Sequence, residues 1–128
     1  MEHADPSEYV DGTTVKKLLS TKTTSIGQAI EYPHSSNPEV TALEVEIPPG
    51  METGWHTHPF PGYGYIRSGV LTLEVEGGRR LHYHAGEAFA EMVDVPHNGV
   101  NSGTKPVRIL AFFTGESGKP YTLPASAR

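Results

Sequence analysis

Gly50-Met51-Glu52-Thr53-Gly54-Trp55-His56-Thr57-His58-Pro59 is the stretch that decides the fold. It follows an alternating run, Leu43, Val45 and Ile47, that stops at Pro48-Pro49-Gly50, and Gly69 closes it. Apolar residues at every second position mark a strand with one buried face. The proline–glycine cluster marks a turn, so the chain comes back carrying two histidines. Successive side chains of a strand point to opposite faces. His56 and His58 therefore share a face, and two imidazoles side by side on one pleat make half of a metal site. A third histidine, His97, lies about 40 residues on, beside another strand pattern. These three are the candidate ligands of one metal ion.

A second His-x-His is the internal control. His82 and His84 sit in Arg79-Arg80-Leu81-His82-Tyr83-His84, where Leu81 and Tyr83 form the expected core face. By parity His82 and His84 then face solvent or an interface, and they are not assigned to the metal.

Around these motifs the chain reads as many short strands. Alternation recurs in Leu71-Leu73-Val75 and in Val107-Ile109-Ala111-Phe113. Glu76-Gly77-Gly78-Arg79 reads as a hairpin turn, with glycines free to take positive φ. Fourteen glycines and eleven prolines spread along 128 residues suit strands joined by turns in one domain with one core. Val15, Leu18 and Leu19 could start a helix, but Thr21, Thr23 and Thr24 favour extended structure. The expected fold is all-β: a small barrel or double-sheet jelly roll. Residues 1–12 and 120–128 read as loosely ordered arms, or as arms that pack on a partner.

The bulk properties exclude partners. Net charge is −5 and the basic residues are scattered, so nucleic acid is not expected. No apolar stretch approaches the roughly 18 residues needed to span a bilayer. Residues 1–12 are acidic and lack an apolar core, so they do not read as a signal peptide. A cytoplasmic protein is expected, although a secreted chain whose signal has been removed would look the same. The absence of cysteine removes disulfides, thiolate ligands and a thiol nucleophile. Any metal site must use nitrogen and oxygen donors.

The spacing of these residues resembles the cupin superfamily. Its first motif is Gly, five residues, His-x-His, three or four residues, Glu, six residues, Gly. Gly50, His56, His58 and Gly69 fall in register, but Gly62 stands where the glutamate is expected. In the second motif Gly86, His97 and Asn101 match, while Met92 and Asp94 replace a proline and a glycine. The resemblance runs from Val40 to Thr114. It implies a single cupin domain, a double-stranded β-helix, over residues 1–128 with its core at about 40–114. It also implies metal bound by His56, His58 and His97, and a role for Asn101 in ordering a turn.

Three imidazoles leave a divalent ion its full charge, so such a site attracts an anionic second ligand and keeps coordination positions open. Iron, manganese, nickel, cobalt, copper and zinc all accept imidazole. Glu91 is the candidate to replace the missing carboxylate, because it shares parity with Phe89, which is expected to point inward. The competing reading turns Glu91 to solvent through a bulge. Tyr63, which shares a face with Tyr65, is a candidate phenol donor to substrate or a weak fourth ligand. The competing reading is a core aromatic with one hydrogen bond. Trp55 falls opposite the histidines and is expected outside the barrel, where a subunit contact would cover it. Phe112 is opposite Phe113, so both faces of that strand are apolar, which points to a homodimer.

These readings converge on a metalloenzyme acting on a small anionic organic molecule, with a dioxygenase as the leading reaction type. A non-catalytic metal or small-ligand binding module is the first alternative. A sugar isomerase or epimerase is the second, and it needs an acid–base pair in the barrel.

Overall fold

The computed structural model describes residues 9–126, in which nine strands and no helix are found. The long strands are β1 (Pro38–Ile47), β3 (Gly62–Ser68), β4 (Val70–Val75), β5 (Arg80–His84) and β8 (Val107–Glu116). The short ones are β2 (His56–Thr57), β6 (Ala88–Ala90), β7 (His97–Val100) and β9 (Leu123–Pro124). They form two antiparallel sheets, one in the order β1-β8-β3-β6 and the other β5-β4-β7-β2-β9. This is the expected all-β jelly roll. No helix of the described residues is long and apolar enough to cross a membrane.

Alternation in the sequence sets which face each strand buries. Along β1 and β8 the register places Leu43 opposite Ala111, Val45 opposite Ile109 and Ile47 opposite Val107. These residues line one wall of the interior, and Leu71, Leu73 and Val75 of β4 supply the other. Full burial of a Val, Leu or Ile side chain, as at Ile47, Leu71 and Val107, contributes about 1.5–3 kcal/mol. Their odd-even partners Glu44 and Glu46 face outward and pair with Arg67 and Arg108. Leu81 and Tyr83 of β5 pack on the core while His82 and His84 are exposed, as parity requires.

Glycine is required where turns press on neighbouring backbone. At Gly69 φ is +79° and a Cβ would lie 2.6 Å from the Pro106 carbonyl oxygen, so only glycine fits between β3 and β4. Gly77 and Gly78 both take positive φ in the β4–β5 hairpin. Among the described residues Asp94 is the one non-glycine of positive φ, at 60°. It occupies the position where the cupin motif carries glycine, which explains why the backbone there is left-handed. Asp tolerates this conformation better than most side chains do. Asn101 is fully buried; its amide donates to the carbonyls of Ile47 and Lys105 and its oxygen accepts the Gly103 N–H. It orders the turn that joins β7 to β8.

The two ends are held differently. Residues 1–8 and 127–128 of the expected arms lie outside the described residues. From Thr13 the chain runs extended, with Val15, Leu18 and Leu19 exposed, before a turn at 23–29 docks on the barrel. The carboxamide of Gln28 holds that turn by bonding both the N–H and the carbonyl of Val93. The C-terminal stretch is not a loose arm. β9 pairs with β2, and Tyr121 stacks on Phe113 with ring centroids 5.1 Å apart. A two-residue strand carries no periodicity, so nothing in the sequence signals it.

Candidate metal centre

β2 lies between β7 and β9, and its register sets His56 directly opposite His97. Directly opposed side chains on one face lie about 5 Å apart. Residues distant in sequence thus become neighbours. The ring centroids are 4.4 Å apart for His56 and His97, and 4.9 Å apart for His58 with each of the other two. One ring nitrogen from each histidine lies within 4.8 Å of the others, a grouping that could hold a metal ion.

Each ring is oriented through its second nitrogen. A carbonyl only accepts, so each Nδ1 carries the proton. His56 Nδ1–H donates to the Gly54 carbonyl at 2.7 Å, His97 Nδ1–H to Val95 at 2.8 Å, and His58 Nδ1–H to Tyr121 at 3.0 Å. The Thr122 hydroxyl lies 3.1 Å from the same His58 nitrogen. The three Nε2 atoms are then unprotonated donors, and carbonyl partners of this kind fix both tautomer and ring orientation in metal sites.

The side chain of Glu91 reaches this group. Its carboxylate oxygens lie 3.7 Å from His58 Nε2 and 3.7 Å from His97 Nε2. Glu91 Oε1 and His97 Nε2 are buried and have no hydrogen-bond partner. Unpaired buried polar atoms cost about 1–3 kcal/mol each. Two of them facing each other beside two further imidazoles fit a divalent ion, held by the Nε2 atoms of His56, His58 and His97 with Glu91 at its edge.

Gly62 leaves no room for an acid at its own position. Gly62 pairs with Phe113, and a Cβ on Gly62 would lie 2.4 Å from that ring. The phenyl group fills the space a glutamate would need. Glu91 is the cross-strand neighbour of Gly62, its N–H donating to the Gly62 carbonyl at 2.8 Å. The carboxylate enters from the adjacent strand.

Two aromatic placements differ from the sequence reading. Tyr63 is not brought to the histidines. Gly62 and Gly64 occupy the inward positions of β3, against Phe113 and Phe89, so Tyr63 and Tyr65 alternate to the outer face. Trp55, expected outside, lines the interior cavity. It sits in a bend after Gly54, where φ is +90°, so strand alternation begins only at His56. Sequence reasoning also missed Tyr121 and Thr122, whose contacts with His58 depend on β9.

The cavity above the histidines has a volume of about 430 Å³ and is lined mainly by apolar side chains, among them Leu43, Val45, Leu73 and Phe113. Burial governs the charges inside it. Burial, with the adjacent His97, pulls His58 down to about 3. Burial pulls His97 down to about 4 and lowers His56 as well. Burial pushes Glu91 up to about 7. A cation at the Nε2 atoms would reverse that last preference and hold Glu91 ionised.

The family described as Cupin domain matches residues 43–113. No curated protein matches the chain in sequence. Solved structures share its fold. An uncharacterised protein with a double-stranded β-helix domain from Klebsiella pneumoniae is 20% identical with a TM-score of 0.58, over 74% of this chain and 90% of its own. The DMSP lyase DddQ from Ruegeria pomeroyi is also 20% identical, with a TM-score of 0.58, over 67% of this chain and 43% of its own. An oxalate decarboxylase from Lactobacillus farciminis is 23% identical with a TM-score of 0.57, over 66% of this chain and 26% of its own. The chain therefore spans less than half of the lyase and about a quarter of the decarboxylase.

Two expected outcomes follow from this geometry. Gly62→Ala should lower stability by about 1–3 kcal/mol in urea unfolding, since an added carbon overpacks against Phe113. Gly62→Glu should lower it further, and Phe113→Leu should relieve both. A neutral Gly62→Ala would refute the steric account. The second outcome is pH dependence in metal-free protein. The histidines have folded pKa values below their unfolded value of about 6.5, so the unfolded chain takes up more protons as pH falls and stability drops. Glu91 acts oppositely: its contribution is complete below about 4.5 and lost as pH rises through about 7. The histidines outnumber it, so stability should fall on acidification from pH 6.5 to 4.5, by about 1.4 kcal/mol per unit for each net proton. Glu91→Gln should steepen that fall. Urea midpoints that stay flat over this range would contradict the assignment.

Proposed function

The chain belongs to the cupin family, and we propose that it is a metal-dependent enzyme of dioxygenase type acting on a small anionic organic molecule with an acidic proton. The observation that carries this reading is Glu91, whose carboxylate lies 3.7 Å from two histidine Nε2 atoms in an apolar cavity. His56, His58 and His97 would hold one divalent transition metal, which supplies Lewis-acid polarisation and a seat for an anionic oxygen. Glu91 is placed to take the acidic proton of a substrate bound there and to hand it back to the product. The walls formed by Leu43, Val45, Leu73 and Phe113 take the apolar body of the substrate and exclude water. Incorporating both atoms of dioxygen draws four electrons from the substrate and needs no external reductant.

A non-oxidative lyase or decarboxylase is the second reading. A buried carboxylate base serves proton abstraction before elimination equally well, and the chain shares its fold with proteins described as a DMSP lyase and an oxalate decarboxylase. Sugar isomerisation fits less well, since the cavity is apolar and Glu91 is the one acid that lines it. A non-catalytic binding module would use Glu91 only as a counter-charge or further ligand to the metal, and the turnover assays below separate it from the catalytic readings.

The test is anaerobic loading with each of the six candidate metals, then oxygen uptake on catechols, flavonols and β-diketones. Product analysis without oxygen runs in parallel. Uptake supports the dioxygenase, and turnover without oxygen supports the lyase. Glu91→Gln should keep one metal per chain yet lower kcat by about 10²–10⁴. Each of His56→Ala, His58→Ala and His97→Ala should lose the metal. Wild-type turnover in Glu91→Gln would remove Glu91 from the reaction, and absence of turnover with every metal and substrate would defeat both catalytic readings.

The proposed partner is a second copy of this chain. The outer face of β1 and β8 exposes Val40 and Phe112, with Ala42 paired to Phe112 between them. β1 is also an edge strand of its sheet among the described residues, and edge strands are ready templates for pairing with another chain. Light scattering should give about twice the chain mass of 13.9 kDa. A monomer at micromolar concentration would refute this.

A further inference from the structure

We infer that Asn98 is a positioning residue for His56, acting through the peptide groups of Gly54; the inference rests on the reading of His56 as a metal ligand. β7 presents His97 to the interior and Asn98 to the opposite side, where Asn98 is 1% exposed. Burial there is costly unless every polar atom finds a partner. Asn98 Nδ2 donates to Glu52 Oε1 and to Glu74 Oε1, each at 3.0 Å, and Oδ1 accepts the Gly54 N–H at 3.0 Å. The amide orientation is therefore set by chemistry: the carboxylates only accept and the backbone N–H only donates.

Gly54 is the residue whose carbonyl orients His56. It is a glycine at φ +90° with nothing near its missing Cβ, so by itself it is the freest hinge in the site. Its two peptide groups are held from different directions. Asn98 grips the N–H, while the Thr53 hydroxyl donates to the carbonyl at 3.0 Å beside the His56 bond. Thr53 is itself clipped to β7, its Oγ1 accepting the Gly99 N–H at 3.0 Å. Glu74 on β4 and Glu52 on the turn converge on the same amide. Asn98 thus joins three segments at the point that decides where the His56 Nε2 lone pair aims. Without it the glycine can rotate, and His56 loses its fixed partner while His58 and His97 keep theirs. Asn98 does not line the cavity, and its side-chain bonds lead to the site through Gly54 and His56.

The experiment compares Asn98→Ala with Asn101→Ala, another buried asparagine at the end of the same strand whose bonds lead away from the site. Cobalt(II) is titrated into metal-free protein and its visible spectrum recorded. Asn98→Ala should weaken cobalt binding by about 10–100-fold and change the spectrum. Asn101→Ala should lower the melting temperature with both unchanged. Equal effects of the two variants on affinity and spectrum would overturn the inference. Should Asn98→Ala not fold, Glu52→Ala removes one of its anchors from the surface; weakened cobalt binding supports the inference and wild-type binding overturns it. A metal-free readout separates this from the ligand assignment. The His56 Nδ1–H proton should exchange slowly by NMR in wild type and in Asn101→Ala, and fast in Asn98→Ala. If His56→Ala binds cobalt as wild type does, the metal reading fails while the exchange result still decides the role of Asn98. Slow exchange retained in Asn98→Ala sinks it.

Discussion

Three hydrogen bonds from imidazole Nδ1–H to backbone carbonyls are the constraint on which the centre depends. They turn three Nε2 lone pairs toward one point, and each carbonyl belongs to a different piece of chain: Gly54 before β2, Val95 before β7, and Tyr121 before β9. Backbone oxygens are better orienters than side chains would be, because their positions follow from strand pairing and cost no rotamer freedom. The rest of the barrel serves these three carbonyls. The β2–β7 register sets His56 against His97, and the β2–β9 pairing brings Tyr121 to His58.

The parts legible in the sequence were those with a period. Leu43-Val45-Ile47 and Val107-Ile109-Ala111 announce their buried faces, and the register of β1 on β8 brings those faces together. Leu81 and Tyr83 separated the uninvolved His82 and His84 from the core by the same rule. The reading failed where the period is interrupted. Counting back from His56 puts Trp55 outside, but Trp55 sits in a bend after Gly54, whose φ is +90°, and the alternation begins only at His56. Tyr63 was weighed as an aromatic, when its neighbours Gly62 and Gly64 hold the inward positions under Phe113 and Phe89. No local pattern reports that two glycines vacate space for two rings on other strands. The C-terminal strand was invisible for a related reason: two residues carry no pattern, and its stability comes from the Tyr121–Phe113 stack and the bonds to β2.

Gly62 and Glu91 are neighbours across two strands, bonded from the Glu91 N–H to the Gly62 carbonyl. Opposed positions on adjacent strands point into the same volume, so a carboxylate placed on either reaches the same neighbourhood. Phe113 occupies the approach from position 62 and leaves the approach from position 91. The exchange has a consequence for the cavity. An aromatic ring now lies 4.6 Å from the His58 ring, centroid to centroid, so the wall beside the candidate ligand is apolar on the side where an acid would have made it polar.

That apolar wall acts on the electrostatics. A buried carboxylate disfavours its own charge, and buried imidazoles disfavour theirs, so the metal-free cluster prefers to be neutral throughout. Neutral imidazoles offer lone pairs, and Glu91, pushed up to about 7, gives up its proton readily when a cation arrives. A cation would ionise Glu91 without needing to displace protons from the histidines, because burial has already removed them. Desolvation, which costs stability when the site is bare, thereby preorganises the donors. The same low-polarity surroundings then strengthen every charge interaction made with an anion that enters.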